Sequence, residues 1–295
     1  MSKALYICYF GVREPLVQTQ VIPYLLEIAK DGVGISLLTF EPAMRVRDSG
    51  TVGQWDSGTE FERIRRELSE KGIEWHWLPY HKRLSVIATA FDVFQGVRMI
   101  RRLMGRERFD ILHARVHIPM LMAALAHRLS RQKPKLLFDI RGFFPEEYTD
   151  AGIWKEDGML YRSVKRVEKW LMKEADGFVV LTEKARQILF PESANGVDKL
   201  GRPVEVIPCC VSLERFAAAK DGSAAIANKL GTNGRFVVTY VGSFGGWYLT
   251  QETADFFKAI RDRRSDAFAL ILTQSKREMI EPLLLNAGYS EDDYW

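Results

Sequence analysis

Short, nearly continuous apolar runs alternate along the chain with stretches in which apolar residues recur every three or four positions. The runs cover 4–10, 35–40, 73–78, 111–114, 136–140, 178–182 and 204–207. Their length and their β-branched and aromatic content predict strands buried on both faces. The helical spacing between them predicts helices over 18–30, 60–71, 85–104, 119–130, 160–174 and 183–189. Strand–helix alternation of this kind implies a parallel sheet with helices on both sides. Residues 1–207 therefore read as one complete, doubly wound α/β domain.

The pattern changes after Pro208. Residues 208–223, small and charged at their end, read as a linker. The alternation then restarts with a helix near 224–230, a strand at 236–241, a helix at 251–263, a strand at 267–273 and a helix at 276–287. Two strands with their helices bury too little to finish an α/β domain. Residues 224–295 are thus expected to be a partial second domain, cut off at Trp295.

Composition narrows the class. Of 295 residues 47% are hydrophobic and 27% charged, enough apolar material to exclude disorder as the main state. No run approaches the roughly 18 uncharged apolar residues of a membrane span. The apolar stretch at 4–10 is too short and too strand-like for a signal peptide. Three cysteines, Cys8, Cys209 and Cys210, cannot build a disulfide framework, which points to a reducing cytoplasm.

The net charge of +4 is uninformative until it is localised. Residues 82–108 carry seven basic side chains (82, 83, 98, 101, 102, 106 and 108) against Asp92 and Glu107, more than the whole chain's excess. Within this helix Val86, Ile87, Ala90, Phe91, Phe94, Val97, Ile100 and Leu103 form the apolar set. Two readings stand side by side: a basic amphipathic helix on an anionic membrane surface, or a core-facing helix with a solvated basic face. Nucleic acid is disfavoured, because no aromatic stacking platform accompanies the charge.

Ligands of open α/β sheets sit beyond the carboxyl ends of the strands, so the loops there hold the candidate chemistry. The first loop, Gly11-Val12-Arg13-Glu14-Pro15, lacks G-x-G-x-x-G, and no G-x-x-x-x-G-K-[ST] occurs in the chain. Nicotinamide dehydrogenases and P-loop ATPases lose their main support. Gly11 still allows close backbone approach and Arg13 can meet an anion, but taken alone the loop reads more simply as a turn glycine with a solvated arginine.

The fourth strand ends in His113-Ala114-Arg115-Val116-His117, where His113 suits a sugar hydroxyl or phosphate and Arg115 an anion. No ligand triad accompanies them, so no metal is implied. His76, His81 and His127 read as structural hydrogen bonders.

The fifth strand leads into the densest polar cluster: Asp139, Arg141, Gly142, Glu146 and Glu147. It fits a polyhydroxylated or phosphorylated ligand, or else an Arg141–Glu146 or Arg141–Asp139 ion pair that holds a loop. In the second domain Gly242-Ser243-Phe244-Gly245-Gly246-Trp247-Tyr248 follows the first strand, where exposed amides would cradle a phosphate.

Taken in order, these pieces resemble glycosyltransferase family 4, retaining enzymes of the GT-B fold with two facing Rossmann-like domains. The segment Val206-Ile207-Pro208-Cys209-Cys210-Val211-Ser212-Leu213-Glu214-Arg215-Phe216 is similar to that family's interdomain V-I-P-N-G-V-D-x-x-x-F. Residues 168–182 resemble the stretch that ends its first domain. Residues 139–154 and 242–248 resemble a bacterial polysaccharide-biosynthesis branch with D-x-R-G-F-x-x-E and G-S-L-G-x-W-Y.

The resemblance implies an acceptor-binding first domain and a second domain that binds a nucleotide sugar. Transfer, of the hexosyltransferase type, would retain anomeric configuration without cofactor or metal. It implies His113 near the transferred sugar, Gly11 and Arg13 with Gly242, Ser243 and Gly245 at the donor phosphates, and Arg115, Arg141 and Glu146 at the acceptor. The acceptor would be a glycan or a lipid-linked sugar, met in the cytoplasm at the inner face of the membrane.

Two departures follow. Ser243 and Leu249 stand where many members carry an arginine and a lysine on the diphosphate, which leaves Arg13 and Arg141 to compensate. The family's E-x-x-x-x-x-x-x-E segment falls beyond Trp295, so the chain is expected to be inactive alone. A catalytically dead acceptor-binding or scaffolding module, and a sugar-nucleotide 2-epimerase of the same fold, are the alternatives; the segment at 207–216 favours a transferase over an epimerase.

Overall fold

The computed structural model describes residues 2–42, 57–81, 86–211, 213, 223–245 and 248–295. Lys82, Arg83 and Ser85, most of the linker and the end of the interdomain segment, and Gly246 and Trp247 lie outside the described residues. The chain divides into two compact units: one of Met1–Glu146 and Trp154–Val211, the other of Glu147–Ile153 and Ser212–Trp295.

The first unit is built on β1 (Lys3–Ile7), β2 (Gly34–Pro42), β3 (Ile73–Tyr80), β4 (Ile111–Arg115), β5 (Lys135–Ile140), β6 (Gly177–Val180) and β7 (Val204–Val206). They form one sheet in the order β3-β2-β1-β4-β5-β6-β7, and every neighbouring pair is parallel. Each strand lies within a few residues of the run that predicted it. The order reverses between β1 and β4, which opens a crevice at their carboxyl ends.

Strand alternation sorts the side chains onto two helical layers. On one face Leu5, Ile7, Leu38, Leu112, Ala114, Phe138 and Val180 pack with α3 (Val86–Arg106), α4 (His117–Arg128) and α6 (Met159–Glu174). On the other, Tyr6, Cys8, Leu37, Ile73 and Trp75 pack with α1 (Ile22–Lys30) and α2 (Ser57–Glu70). Burial pushes the Cys8 thiol up to about 12, which leaves it unreactive. A single π-helical turn, Val17–Val21, leads into α1. Pro23 at the start of α1 has no N–H to donate back into that turn, which favours the wider winding.

Two elements depart from expectation. Residues 144–150, read as loop, form the short helix α5 (Phe144–Asp150), whose Pro145 is buried. In α3 the apolar set splits: Val97, Ile100, Leu103 and Met104 are buried, but Val86, Ile87, Phe91 and Phe94 are exposed. The amino-terminal half of α3 turns Asp92, Val93 and Gly96 inward, and Val86, Ile87, Phe91 and Phe94 lie on its outer side. Helix α7 (Glu183–Leu189) starts where Thr182 accepts the Ala185 N–H at 3.0 Å.

In the second unit α8 (Ser223–Leu230) precedes β8 (Phe236–Val241), α9 (Thr250–Arg261), β9 (Ala267–Leu272) and α10 (Glu281–Asn286). The expected helix at 276–287 is a 3-10 turn, Arg277–Met279, followed by α10. β8 and β9 pair in parallel. Trp295 pairs with the free side of β9, donating to Ala269 O at 3.0 Å and accepting from Ile271 N at 2.8 Å. Asp293 locks this end: Arg261 reaches it at 2.8 Å and Arg235 also pairs with it. Burial opposes ionisation of Asp293, yet Ser290 and the two arginines hold its carboxyl down at about 2.

Candidate active site

At the carboxyl ends of β1, β4 and β5, polar residues occupy alternate positions and are buried. Tyr6 is in register with His113, and Arg115 with Asp139. Residues two apart on a strand share a face, so His113 and Arg115, and likewise Asp139 and Arg141, point to the α1 side. Leu112, Ala114 and Phe138 between them go into the opposite core.

Asp139 is the centre of the cluster and fully buried. Its Oδ2 accepts from Tyr6 Oη at 3.3 Å and lies 3.5 Å from His113 Nε2 and 3.9 Å from Arg115 Nη1. Its Oδ1 is 2.7 Å from Arg141 Nε. The His113 ring packs on Tyr6 at 4.4 Å and meets Tyr24 edge-on at 5.8 Å. Gln20, displayed by the π turn, accepts from Arg115 Nη2 at 2.8 Å.

The electrostatics are one-sided. Burial alone would raise the Asp139 carboxyl, but His113 and Arg141 hold it below the ordinary range. Burial would likewise lower Arg141, and Asp139 reverses the direction. Burial, then the Asp139 charge, keeps Tyr6 a phenol well past its usual range. Two guanidiniums thus face one carboxylate, and Arg115 is only 2% exposed. Its Nε and Nη1 make no hydrogen bond among the described residues. A buried excess cation costs several kcal/mol unless an opposite charge meets it.

The backbone adds to this. Val116, directly after Arg115, has φ 65° and ψ −177°, a region that a β-branched residue rarely adopts. Its N–H donates to Asp139 O at 2.9 Å and its carbonyl accepts from Met120 N at 3.2 Å. Helix α4 therefore starts at once, with no side-chain cap on its positive end beside His113 and Arg115.

Glu146 belongs to a different network. Lys165 of α6 contacts its Oε1 at 2.8 Å and Tyr161 donates to it at 3.2 Å. Lys165 also pairs with Glu168, which accepts from His117 Nε2 at 3.1 Å. His117 stacks on Phe144 at 5.3 Å. Burial would raise Glu168, and His117 and Lys165 together lower it. Arg141 and Glu146, grouped by sequence, are thus tied to different partners: Arg141 to Asp139, Glu146 to α6.

The first loop bounds a pocket of about 210 Å³ lined by Gly11, Arg13, Glu14, Glu41, Pro42 and Phe61. A Cβ on Gly11 would stand 2.8 Å from Glu41 Oε2 and 2.9 Å from Pro42 Cδ, so the space the glycine leaves is taken by β2. Arg13, half-exposed, pairs with Glu60 at 3.3 Å. Glu41 accepts from Val12 N at 2.8 Å and Thr39 Oγ1 at 2.5 Å, and burial raises its carboxyl. Carboxylates therefore share this loop with Arg13.

In the second unit Gly242 N donates to Leu272 O, Phe244 N to Ser275 Oγ and Gly245 N to Thr250 Oγ1, at 2.9–3.1 Å. Ser243 gives its carbonyl to Tyr240 Oη at 2.7 Å. The expected cradle of exposed amides is accordingly turned inward at these three positions. Gly245 adopts φ 82°, as the turn requires.

The structure brings His113, Arg115 and Arg141 together around Asp139, which the sequence offered only as an ion-pair partner of Arg141. The i, i+2 spacing of His113–Arg115 and of Asp139–Arg141 on adjacent strands was the available signal. Tyr6 and Gln20 were not expected; a π turn leaves no periodic mark. Of the histidines read as structural, His81 fits, with Nδ1 2.6 Å from the buried Asp92.

A two-unit α/β protein with a parallel sheet and a polar crevice at its switch point has the GT-B architecture. The family model for Glycosyltransferase Family 4 matches residues 52–215, and the chain belongs to that family. Among solved structures it is similar to sucrose-phosphate synthase of Thermosynechococcus elongatus, with TM-score 0.62 and 13% identity, over 100% of this chain and 70% of that one. A glycosyltransferase of Rickettsia africae gives TM-score 0.56 and 13% identity over 100% and 67%. A Listeria monocytogenes protein described as a UDP-N-acetylglucosamine 2-epimerase gives 0.57 and 16% over 99% and 68%. The chain thus spans about two thirds of the length of these structures. No curated protein matches it in sequence.

Proposed function

We propose that the protein is a retaining glycosyltransferase that moves a sugar, a hexose, from a nucleotide-sugar donor to a glycan or lipid-linked acceptor in cell-surface polysaccharide biosynthesis. The observation that carries this reading is the buried Arg115–Asp139–Arg141 cluster with His113 at its edge, which holds excess positive charge at the crevice of a family 4 fold.

In this reading His113 lies against the transferred sugar, anchored by Asp139. Arg115 and Arg141 offer fixed donors to anionic groups of the substrates, Arg115 through the nitrogens it does not spend on Gln20. The anomeric carbon breaks its bond to the donor diphosphate and gains one to the acceptor oxygen on the same face, while the acceptor hydroxyl's proton passes to the departing phosphate oxygen. Positioning and stabilisation of the leaving diphosphate supply the rate. Gly11, Arg13 and Ser243 are the proposed phosphate contacts, since the Gly242 and Gly245 N–H groups are spent within the protein, and Glu146 steadies the acceptor side through Lys165. No cofactor or metal takes part. The setting is cytoplasmic, at the inner face of the membrane.

An epimerase is the second reading, supported by likeness in fold to the Listeria protein. The family match at 52–215 favours transfer. A panel of nucleotide sugars incubated with the full chain, with and without oligosaccharide or lipid-linked acceptors, separates the two. Nucleoside diphosphate release that needs an acceptor supports transfer. A changed donor sugar without acceptor overturns it, and so does transfer undiminished in His113→Ala.

A further inference from the structure

Helix α3 has an unusual outer side. Its orientation is pinned: Asp92, fully buried, accepts from Tyr9 Oη at 2.6 Å and from the His81 backbone at 3.2 Å, and contacts His81 Nδ1 at 2.6 Å. Val97, Ile100, Leu103 and Met104 face the core. At about 100° per residue, Ile87, Phe91, Phe94, Arg98, Arg101 and Arg102 then fall within one arc of about 100° on the opposite side. All six are exposed, Ile87 to 82% and Phe94 to 62%.

Surface helices normally turn a polar face outward. Here the outward stripe is apolar along its first half and arginine along its second, over about 22 Å. Among the described residues no carboxylate pairs with Arg98, Arg101 or Arg102. A contiguous apolar patch of this kind marks an interaction surface.

We propose that this stripe docks the protein on a bilayer rich in anionic phospholipid. Ile87, Phe91 and Phe94 enter the boundary of the acyl chains, and Arg98, Arg101 and Arg102 meet lipid phosphates. This deepens the membrane-associated part of the reading above and does not depend on sugar transfer. A bilayer supplies hydrocarbon and phosphate side by side, matching the two halves of the stripe. A second copy would set these arginines against arginines or phenylalanines, and neither supplies the anion. Because α3 follows a parallel strand, its apolar half starts at the carboxyl-end edge of the sheet, where the crevice opens.

The test is flotation of the full chain with vesicles of phosphatidylcholine alone and with about one third phosphatidylglycerol, at low and high salt. The wild type is expected to float with the anionic vesicles and not with phosphatidylcholine alone. Phe91→Gln with Phe94→Gln should weaken partitioning at least about tenfold at unchanged thermal stability. Replacing the three arginines with glutamine should weaken it about a hundredfold, from roughly a fivefold loss per cation near the surface. Equal recovery with both vesicles, no flotation, or full binding by the double phenylalanine variant overturns the proposal. So does a concentration-dependent dimer that the phenylalanine variant abolishes while flotation persists. Activity is not read, so failure here leaves the transferase reading standing.

Discussion

Arg115 and Asp139 face each other in the β4–β5 register, yet guanidinium and carboxylate stop at 3.9 Å, and the short contact of 2.7 Å goes to Arg141. Arg115 spends one nitrogen on Gln20 and keeps two buried nitrogens that make no hydrogen bond among the described residues. One carboxylate is thus shared among two arginines, a histidine and a tyrosine, and the arginine farthest from it has the most left to give a ligand.

Asp139→Asn keeps the shape and removes the charge. Two guanidiniums are then buried without a counterion, and the expected loss is about 3–5 kcal/mol of stability. Urea unfolding checks it. A loss under about 1 kcal/mol would mean that another group neutralises the arginines.

Acid should unfold the first unit early. Asp139 and Glu168 both titrate below their ordinary values of 3.8 and 4.5 in the folded protein. Their stabilisation is therefore complete above the unfolded values and is lost as pH falls through the folded ones. Urea midpoints measured from pH 6 down to pH 3 should fall steeply below about 4.5, and less steeply in Asp139→Asn.

Arg115→Lys keeps the charge and loses the fork. A lysine cannot hold Gln20 and also present two further nitrogens, and kcat/KM should drop by about tenfold to a hundredfold, the worth of one charge-assisted hydrogen bond. Kinetics with a saturating donor and varied acceptor would show it. Unchanged constants would remove Arg115 from the substrate site.

Gly11→Ala tests the first loop as packing. The added methyl meets Glu41 and Pro42 within 3 Å, and a cost of about 1–3 kcal/mol is expected. Thermal unfolding reads this directly; an unaltered midpoint would show that β2 yields easily here.

Val116→Gly should stabilise. Relief of about 1–3 kcal/mol of backbone strain outweighs the roughly 0.5–1 kcal/mol entropic cost of glycine, for a net gain of about 1 kcal/mol. A lowered melting temperature would show that the valine side chain contributes more by packing than its backbone costs.

The seven strands of the first unit were legible because parallel strands buried on both faces are apolar without interruption, from Tyr6 and Ile7 to Phe178 and Val179. Helices that keep one stripe on the core, such as α6, were legible by period. What escaped had local causes. Phe144-Pro145-Glu146 hides a short helix behind a proline, and Val17–Val21 winds too wide for the 3.6 pattern. The outward phenylalanines of α3 fit a core stripe by spacing, and the buried Asp92 together with Val97, Ile100 and Leu103 fixes which way the helix turns. In the site, residue types were readable and partners were not: Arg141 and Glu146 lie five apart in sequence and belong to different faces of chemistry.

The alternation on β4 and β5 also acts on folding itself. A slip of one residue in either strand would drive His113 and Arg115, or Asp139, into the layer built by Leu112, Ala114 and Phe138, and bring those side chains out into the crevice. Mispaired sheets would then carry unpaired charge inside an apolar layer. The polar residues that serve the ligand therefore work as a proofreading device for strand pairing, because the correct register is the one in which the charges find each other.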